Sequence, residues 1–302
     1  MTPLDEQDEH VRLFRSAVLR FYSRHRRDLP WRRSQDAYHI LVSEVMLQQT
    51  QVNRVIPKYE RFLARFPTVH VLASARLRDV VRAWIGLGYN SRGLRLWRCA
   101  KIIAQRHGGV VPDDVEQLRA LPGIGTYTAC AIASFAYGKP HPAIDTNVRR
   151  VLSRVLFGRD SVSAAVLRRA AARVFPARAA RRWCQALMDV AALHCRSSPR
   201  CEGCPALMTC RFAPKVARAL PRRPSGSAAP RKAAFAGSPR FFRGRIIRIL
   251  SGVGSMPVAR LLSEAKDGSP KAEGARIASL VDDLRREGLL RIDRRRRRVW
   301  LP

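Results

Sequence analysis

One stretch of this chain limits the fold more than any other. Thr126–Tyr137 (TYTACAIASFAY) carries no charge and is apolar on nearly every side of a helical wheel. A helix with no polar face must be enclosed by other elements rather than laid on a surface. The rest of roughly the first 200 residues gives few strand signals and repeats apolar residues at helical spacing. Val11, Phe14, Val18, Phe21 and Tyr22 form one face of a first helix. The same period runs through 37–65, Leu77–Trp84, 91–105, 115–120, 147–156, 162–175 and 179–193. Pro and Gly punctuate the joins, at Pro30, between Gly108 and Pro112, and between Gly138 and Pro142. The expected fold is mainly α, a helical assembly closed around 126–137.

The approach to that apolar helix is LPGIGTYTA at 121–129. Gly123 and Gly125 permit a tight turn and close backbone approach. The amides of the next helix start, from Thr126 onward, then point outward, where they suit a phosphate. This is a helix–hairpin–helix signature, which holds DNA by its backbone and reads no sequence. An ordinary Gly-rich helix connection uses the same residues.

Two carboxyls stand out. In HPAIDTNVRR, Asp145 follows an apolar run and precedes Asn147 at the start of a predicted helix, where it is a natural N-cap. Capping and catalysis are compatible, because a carboxylate at a helix start is stabilised in its ionised form and suits a cationic sugar. In LVSEVMLQQTQV (41–52), Glu44 interrupts an otherwise apolar helical face. Burial there raises a carboxyl's pKa, the property a general acid needs; a half-exposed Glu paired with a nearby Arg is the plainer alternative. Gln48, Gln49 and Thr50 end that helix as a polar run suited to entering a base stack when a base leaves it.

Cys195, Cys201, Cys204 and Cys210 lie within sixteen residues, spaced x5, x2 and x5. Four thiolates this close fit a 4Fe–4S cluster and also fit tetrahedral zinc, the less favoured choice. Cys99, Cys130 and Cys184 sit in apolar helices and are expected to pack. Fifty-seven basic against 23 acidic residues give a net charge of +34, which calls for an anionic partner such as a phosphate backbone. The acidic N-terminus lacks the apolar core of a secretory signal, and no stretch approaches the ~18 apolar residues of a membrane span. The expectation is a cytoplasmic, nucleoid-associated monomer acting on double-stranded DNA that carries a mismatch or lesion, with no membrane partner.

Three regions are expected: 1–212 as a helix–hairpin–helix domain with its cysteine loop, 213–238 as a basic Pro/Ala/Arg-rich linker, and 239–302 as a small module. In the last, a helix at 242–250, further helices from MPVARLLSEA and ARIASLVDDLRREGLL, and a hairpin turning near Arg294–Arg298 give the element order of a winged helix.

Together, LPWR at 29–32, SEVMLQQTQV, GLGY at 86–89, LPGIGTYTA, IDTNVRR and the four cysteines resemble, in order, the adenine DNA glycosylases of the MutY type. These are sisters of endonuclease III in the helix–hairpin–helix superfamily, and the resemblance covers roughly residues 10–212. It implies a two-lobed α fold with the active site in a cleft between the lobes. It implies that Glu44 protonates adenine at N7 and that Asp145 stabilises the oxocarbenium ion or forms a transient adduct, with Tyr127 and Asn147 in support. Gln49 and Tyr89 would probe the duplex. Tyr127 stands where endonuclease III-like enzymes carry a nucleophilic Lys, so the resemblance implies a monofunctional glycosylase. The sequence departs from the family in three places. The first cysteine gap is five residues rather than six, GYNSRG follows the endonuclease III branch, and the long β-rich C-terminal domain that reads 8-oxoguanine is replaced. A thymine, uracil or damaged-pyrimidine glycosylase on the same fold is the close alternative. A non-catalytic DNA-binding protein working through its basic linker and C-terminal module is the distant one.

Overall fold

The structure is a computed structural model that describes residues 3–218, 235, 237–266, 272–293 and 295–302. Its helices begin with α1 (Pro3–His25), α2 (Ala37–Leu47), α3 (Val52–Arg65), α4 (Val69–Ser74), α5 (Leu77–Trp84) and α6 (Ser91–Arg106). They continue with α7 (Val115–Arg119), α8 (Thr126–Tyr137), α9 (Thr146–Phe157), α10 (Ala164–Val174), α11 (Ala180–Leu193) and α12 (Ala213–Arg218). The last are α13 (Pro239–Gly252), α14 (Val258–Ala265) and α15 (Ala272–Glu287), with short strands β1 (Met256–Pro257), β2 (Arg291–Asp293) and β3 (Arg298–Trp300). The fold is mainly α, as the periodicity predicts. The apolar helix spans Thr126–Tyr137 and is stopped by Gly138, which takes the left-handed conformation at φ +67°.

The structure refines the sequence reading at three elements. The 37–65 pattern is two helices, the first ending at the polar run of Gln48, Gln49 and Thr50, where Gln49 turns left-handed at φ +55°. Helix α4 is too short to show a period; its signal is Thr68, whose side chain accepts from Val71 N. The first six residues of the expected linker form α12, and most of the remainder lies outside the described residues.

Chain contacts divide the molecule into two units. The first comprises residues 1–40, 113–119 and 124–227. Its core joins Phe14, Val18 and Tyr22 of α1 to Val148, Val151, Leu152 and Val155 of α9 and to Trp183, Leu187 and Val190 of α11. The rings of Phe14 and Trp183 meet edge to face, 5.3 Å between centroids. Fully buried Asp189 of α11 receives Arg32 through both guanidinium nitrogens (2.7 and 3.0 Å) and Arg27 through Nε (2.6 Å). This accounts for the LPWR segment: Trp31 is buried, and Arg32 supplies the planar fork that a buried carboxylate needs.

The second unit comprises residues 41–112, 120–123 and 228–302. Residues from 239 onward share its core: Phe242, Ile246, Ile247 and Leu250 of α13 pack with Leu77 and Val81 of α5 and Leu94 of α6. The three strands form an antiparallel sheet in the order β1-β3-β2, with Val299 facing Met256 on one side and Ile292 on the other. The turn between β2 and β3 holds Arg295, Arg296 and Arg297, all exposed; Arg294 lies outside the described residues. Polar ties add to the core: Arg82 Nε donates to Ser251 O (2.8 Å) and Arg98 to Glu287 O (3.2 Å).

Candidate active site and nucleic-acid interface

In the first unit, Asp145 is the N-cap of α9. Its Oδ1 accepts from the backbone N–H of Asn147 (2.9 Å) and Val148 (2.7 Å), and its Oδ2 from the Asn147 side-chain amide (2.8 Å). An Asp before a helix takes this posture because the first amides of the helix have no partner within it. The carboxylate is therefore fixed in orientation while its residue stays only half-buried.

The chain of contacts continues. Arg150 Nη2 donates to Asn147 Oδ1 (3.2 Å), and its Nε donates to the backbone carbonyl of Cys195 (2.8 Å). One turn on, buried Arg154 donates to the carbonyls of Arg196 (2.5 Å) and Ser197 (3.0 Å), approaches Cys195 Sγ (3.6 Å) and stacks over Phe212 at 4.8 Å. The start of the cysteine loop is thus strapped to α9, whose first turn holds Asp145. The end of that loop presses on the other end of the same helix. A Cβ at Gly158 would come within 2.9 Å of Arg211 O, and only Gly suits its φ of +61°.

Cys195, Cys201, Cys204 and Cys210 line a single small cavity walled by Val151, Val155, Val190 and Leu207. Burial pushes the thiol of Cys204 up to about 11, and those of Cys201 and Cys210 upward as well, with the neighbouring cysteines adding to each. Mutual opposition of this kind is what a shared cation relieves, since thiolates are the ligand form. Among the described residues no three His, Cys, Asp or Glu side chains stand in a ready-made metal-holding group. The donor set, four soft thiols facing one apolar hollow, nevertheless fits an iron–sulfur cluster. All seven cysteines are free; Cys99 and Cys184 are buried and Cys130 half-buried.

Gly125 is the N-cap of α8 and supplies no side-chain cap, and both it and Thr126 are exposed. Tyr127 is half-buried in the first turn. The helix start is thus open to an anion.

In the second unit, Glu44 is 5% exposed within α2, where Leu41 to Met46 are all buried. Helix α2 is followed by the turn Gln48, Gln49 and Thr50. Gln48 Nε2 reaches the carbonyl of Gly123 in the hairpin turn (3.4 Å), and Gly123 itself lies at φ +83°. Buried Arg92 organises this edge. Its Nη1 donates to the carbonyls of Val45 (3.0 Å), Met46 (2.9 Å) and Gln48, and its Nη2 to Thr50 Oγ1 (2.9 Å), Leu87 O (3.2 Å) and Gly88 O (3.1 Å). One guanidinium closes the end of α2 and binds it to the GLGY loop. Burial brings Arg92 down to about 10, still protonated at neutral pH. At the tip of that loop Tyr89 is 38% exposed and left-handed at φ +45°, a posture costing a non-Gly residue about 1 kcal/mol. The sequence did not mark Arg92 or Arg150; each reads as one more arginine in a basic chain.

Residues 42–177 match the profile of the HhH-GPD superfamily of base excision DNA repair proteins, a span that takes in Glu44, the hairpin and Asp145. The chain is 43% identical over 247 residues to the adenine DNA glycosylase of Mycolicibacterium smegmatis, covering 80% of this chain and 82% of that protein. It belongs to the adenine DNA glycosylase family. Among solved structures it resembles a thermostable thymine-DNA glycosylase, with TM-score 0.65, 28% identity, and coverage of 69% of this chain and 99% of that one. An endonuclease III–DNA complex is similar in fold, with TM-score 0.61, 23% identity, and coverage of 70% and 98%. Among the described residues no helix is long and apolar enough to cross a membrane.

Proposed function

We propose that the chain is a monofunctional glycosylase that hydrolyses the N-glycosidic bond of an adenine extruded from duplex DNA, where that adenine faces 8-oxoguanine or guanine. The observation that carries this reading is the Asp145 carboxylate, held by three N–H donors at the start of α9. Breaking a glycosidic bond places positive charge on the sugar, and a carboxylate already oriented stabilises it without reorganising. Adenine is a poor anionic leaving group, so its ring must be protonated as the bond lengthens; Glu44, buried in α2, is the proton donor. Asn147 holds Asp145, and Tyr127 supports the sugar. Tyr127 offers no amine, so no Schiff base forms and the strand stays intact.

The hairpin Gly123–Gly125 and the amides at Thr126 take a backbone phosphate, and Gln48, Gln49, Thr50 and Tyr89 meet the duplex where the base has left it. The module at 239–302 is a winged-helix-like DNA-binding unit, joined through the basic linker to the domain at 1–212. Cys195, Cys201, Cys204 and Cys210 would hold a 4Fe–4S cluster, whose iron–sulfur bonds would pin the loop. The enzyme acts as a monomer on mismatched or lesion-bearing double-stranded DNA in the cytoplasm, at the nucleoid.

The test is single-turnover base release from duplexes pairing A with 8-oxoguanine, A with G, T with G and U with G. Adenine release is expected from the first two, falling about 100-fold or more in Glu44→Gln and about 1,000-fold in Asp145→Asn. Release of thymine alone would move the substrate to the alternative that the 28% identical thymine-DNA glycosylase favours.

A further inference from the structure

One residue of α13 that lies outside its core, Arg240, meets the GLGY loop. Arg240, in the first turn of α13, donates from Nη1 to the hydroxyl of Tyr89 (2.8 Å), and its guanidinium lies 5.2 Å from the Tyr89 ring centroid. On its other side the same guanidinium lies 5.2 Å from the ring of Phe235. Arg92 approaches the Tyr89 ring as well, at 5.5 Å. Tyr89 and Phe235 are 38% and 56% exposed, so two partly exposed aromatic side chains share one cation at the surface. No carboxylate among the described residues pairs with Arg240.

Three features of this cluster are costly for a purely structural contact. Tyr89 is held left-handed, both aromatic side chains stay partly exposed, and no carboxylate among the described residues compensates the guanidinium. The last two are what a nucleic-acid surface uses: flat rings stack on bases, and a cation beside them meets a phosphate. The anchoring is also rigid, because Arg92 fixes the loop beneath Tyr89 from the end of α2 and α13 is fixed by the core it shares with α5 and α6.

We propose that Arg240 is a positioning residue for Tyr89, and that Tyr89, Arg240 and Phe235 form one duplex-contacting cluster to which the C-terminal segment contributes. The segment at 239–302 then takes part in choosing the duplex, beyond any sequence-blind hold on phosphates. Stacking differs between bases and phosphate contacts do not, so the cluster shows itself as a change in preference between duplexes. This rests on the glycosylase reading above.

The experiment measures single-turnover adenine release, and affinity with an uncleavable adenine analogue, on A opposite 8-oxoguanine and A opposite G. Wild type is compared with Arg240→Ala, Arg240→Lys and Tyr89→Phe, with thermal melting as the folding control. Arg240→Ala is expected to weaken binding about tenfold and to change the ratio between the two duplexes, with melting unchanged. Arg240→Lys keeps the charge but not the planar fork and recovers the affinity better than the ratio. Tyr89→Phe keeps the ring, loses the hydroxyl and shifts the ratio in the same direction. An equal loss on both duplexes, or no loss, in Arg240→Ala overturns the proposal. Failure of wild type to release adenine from either duplex instead overturns the glycosylase reading, so the two failures are told apart in one series.

Discussion

At the scale of single residues, the N-cap that Asp145 forms and the catalytic role proposed for it are separated by different substitutions. Asn caps helices as well as Asp does, so Asp145→Asn keeps the backbone cap of α9 and removes the charge together with the acceptor that faces the Asn147 amide. Asp145→Ala removes both and is expected to cost about 1 kcal/mol of stability in addition. Comparing the two by base release and thermal melting assigns each effect; equal melting loss in both would mean that the carboxylate's charge, not its capping, supports the helix. Arg150 acts at one remove, through Asn147 on one side and Cys195 O on the other. Arg150→Leu is expected to slow release about tenfold while affinity for an uncleavable duplex holds, because it loosens the orientation of Asp145 and not the grip on DNA. A fall in affinity equal to the fall in rate would refute that role. Asp145 is legible in the sequence because an Asp before Asn and a helical period has few other uses. Arg150 is not, because the partner that gives it a role, the carbonyl of Cys195, lies in a loop forty-five positions away.

At the scale of elements, legibility follows length and polarity. Helix α8 is read to the residue because its apolar run is long and a left-handed Gly ends it; α5 is read equally well from its period. The break between α2 and α3 is legible in the polar run Gln48, Gln49 and Thr50, whereas Arg92, which takes the carbonyls of Val45 and Met46 there, is a long-range side chain that leaves no local trace. The pair β1–β3 is missed because two residues, Met256 and Pro257, show no alternation. The cysteine loop lies between these cases. Its spacing announces a metal, while the arginines that strap it to α9 are visible only in three dimensions. Cys204 lines the small apolar cavity, with its thiol pushed up to about 11 by burial. Cys204→Ser is therefore expected to abolish iron retention, measured as a fall from about four iron atoms per purified chain, and to lower melting temperature with it. Purified wild-type chain that holds zinc in place of iron, or no metal at all, would contradict the cluster.

At the scale of the molecule, the sequence separates residues 239–302 by composition, whereas packing joins them to α5 and α6. Leu77, Val81 and Leu94 are buried by Phe242, Ile246, Ile247 and Leu250, and Arg82 and Arg98 donate to carbonyls of the same segment. Hydrophobic cores leave no mark on the intervening chain, so a change of composition between 212 and 239 reads as a boundary even though the segment beyond it shares a core with Leu77, Val81 and Leu94. Exposing those three side chains forfeits about 1.5–3 kcal/mol each. The sum, about 5 kcal/mol or more, rivals the whole stability of an ordinary domain at 5–15 kcal/mol. A chain ending at residue 238 is accordingly expected to melt at least 10 °C lower than the full chain or to precipitate. Replacing Phe242 alone by Ala, in the full chain, is expected to cost about 3–5 kcal/mol, because the ring is fully buried. These two measurements belong together. If the shortened chain melts with the full one while Phe242→Ala loses little, the segment is a detachable module whose contacts with α5 and α6 carry no stability. If both fall, residues 239–302 are part of the folding unit that presents Tyr89, and removing them tests stability before it tests recognition.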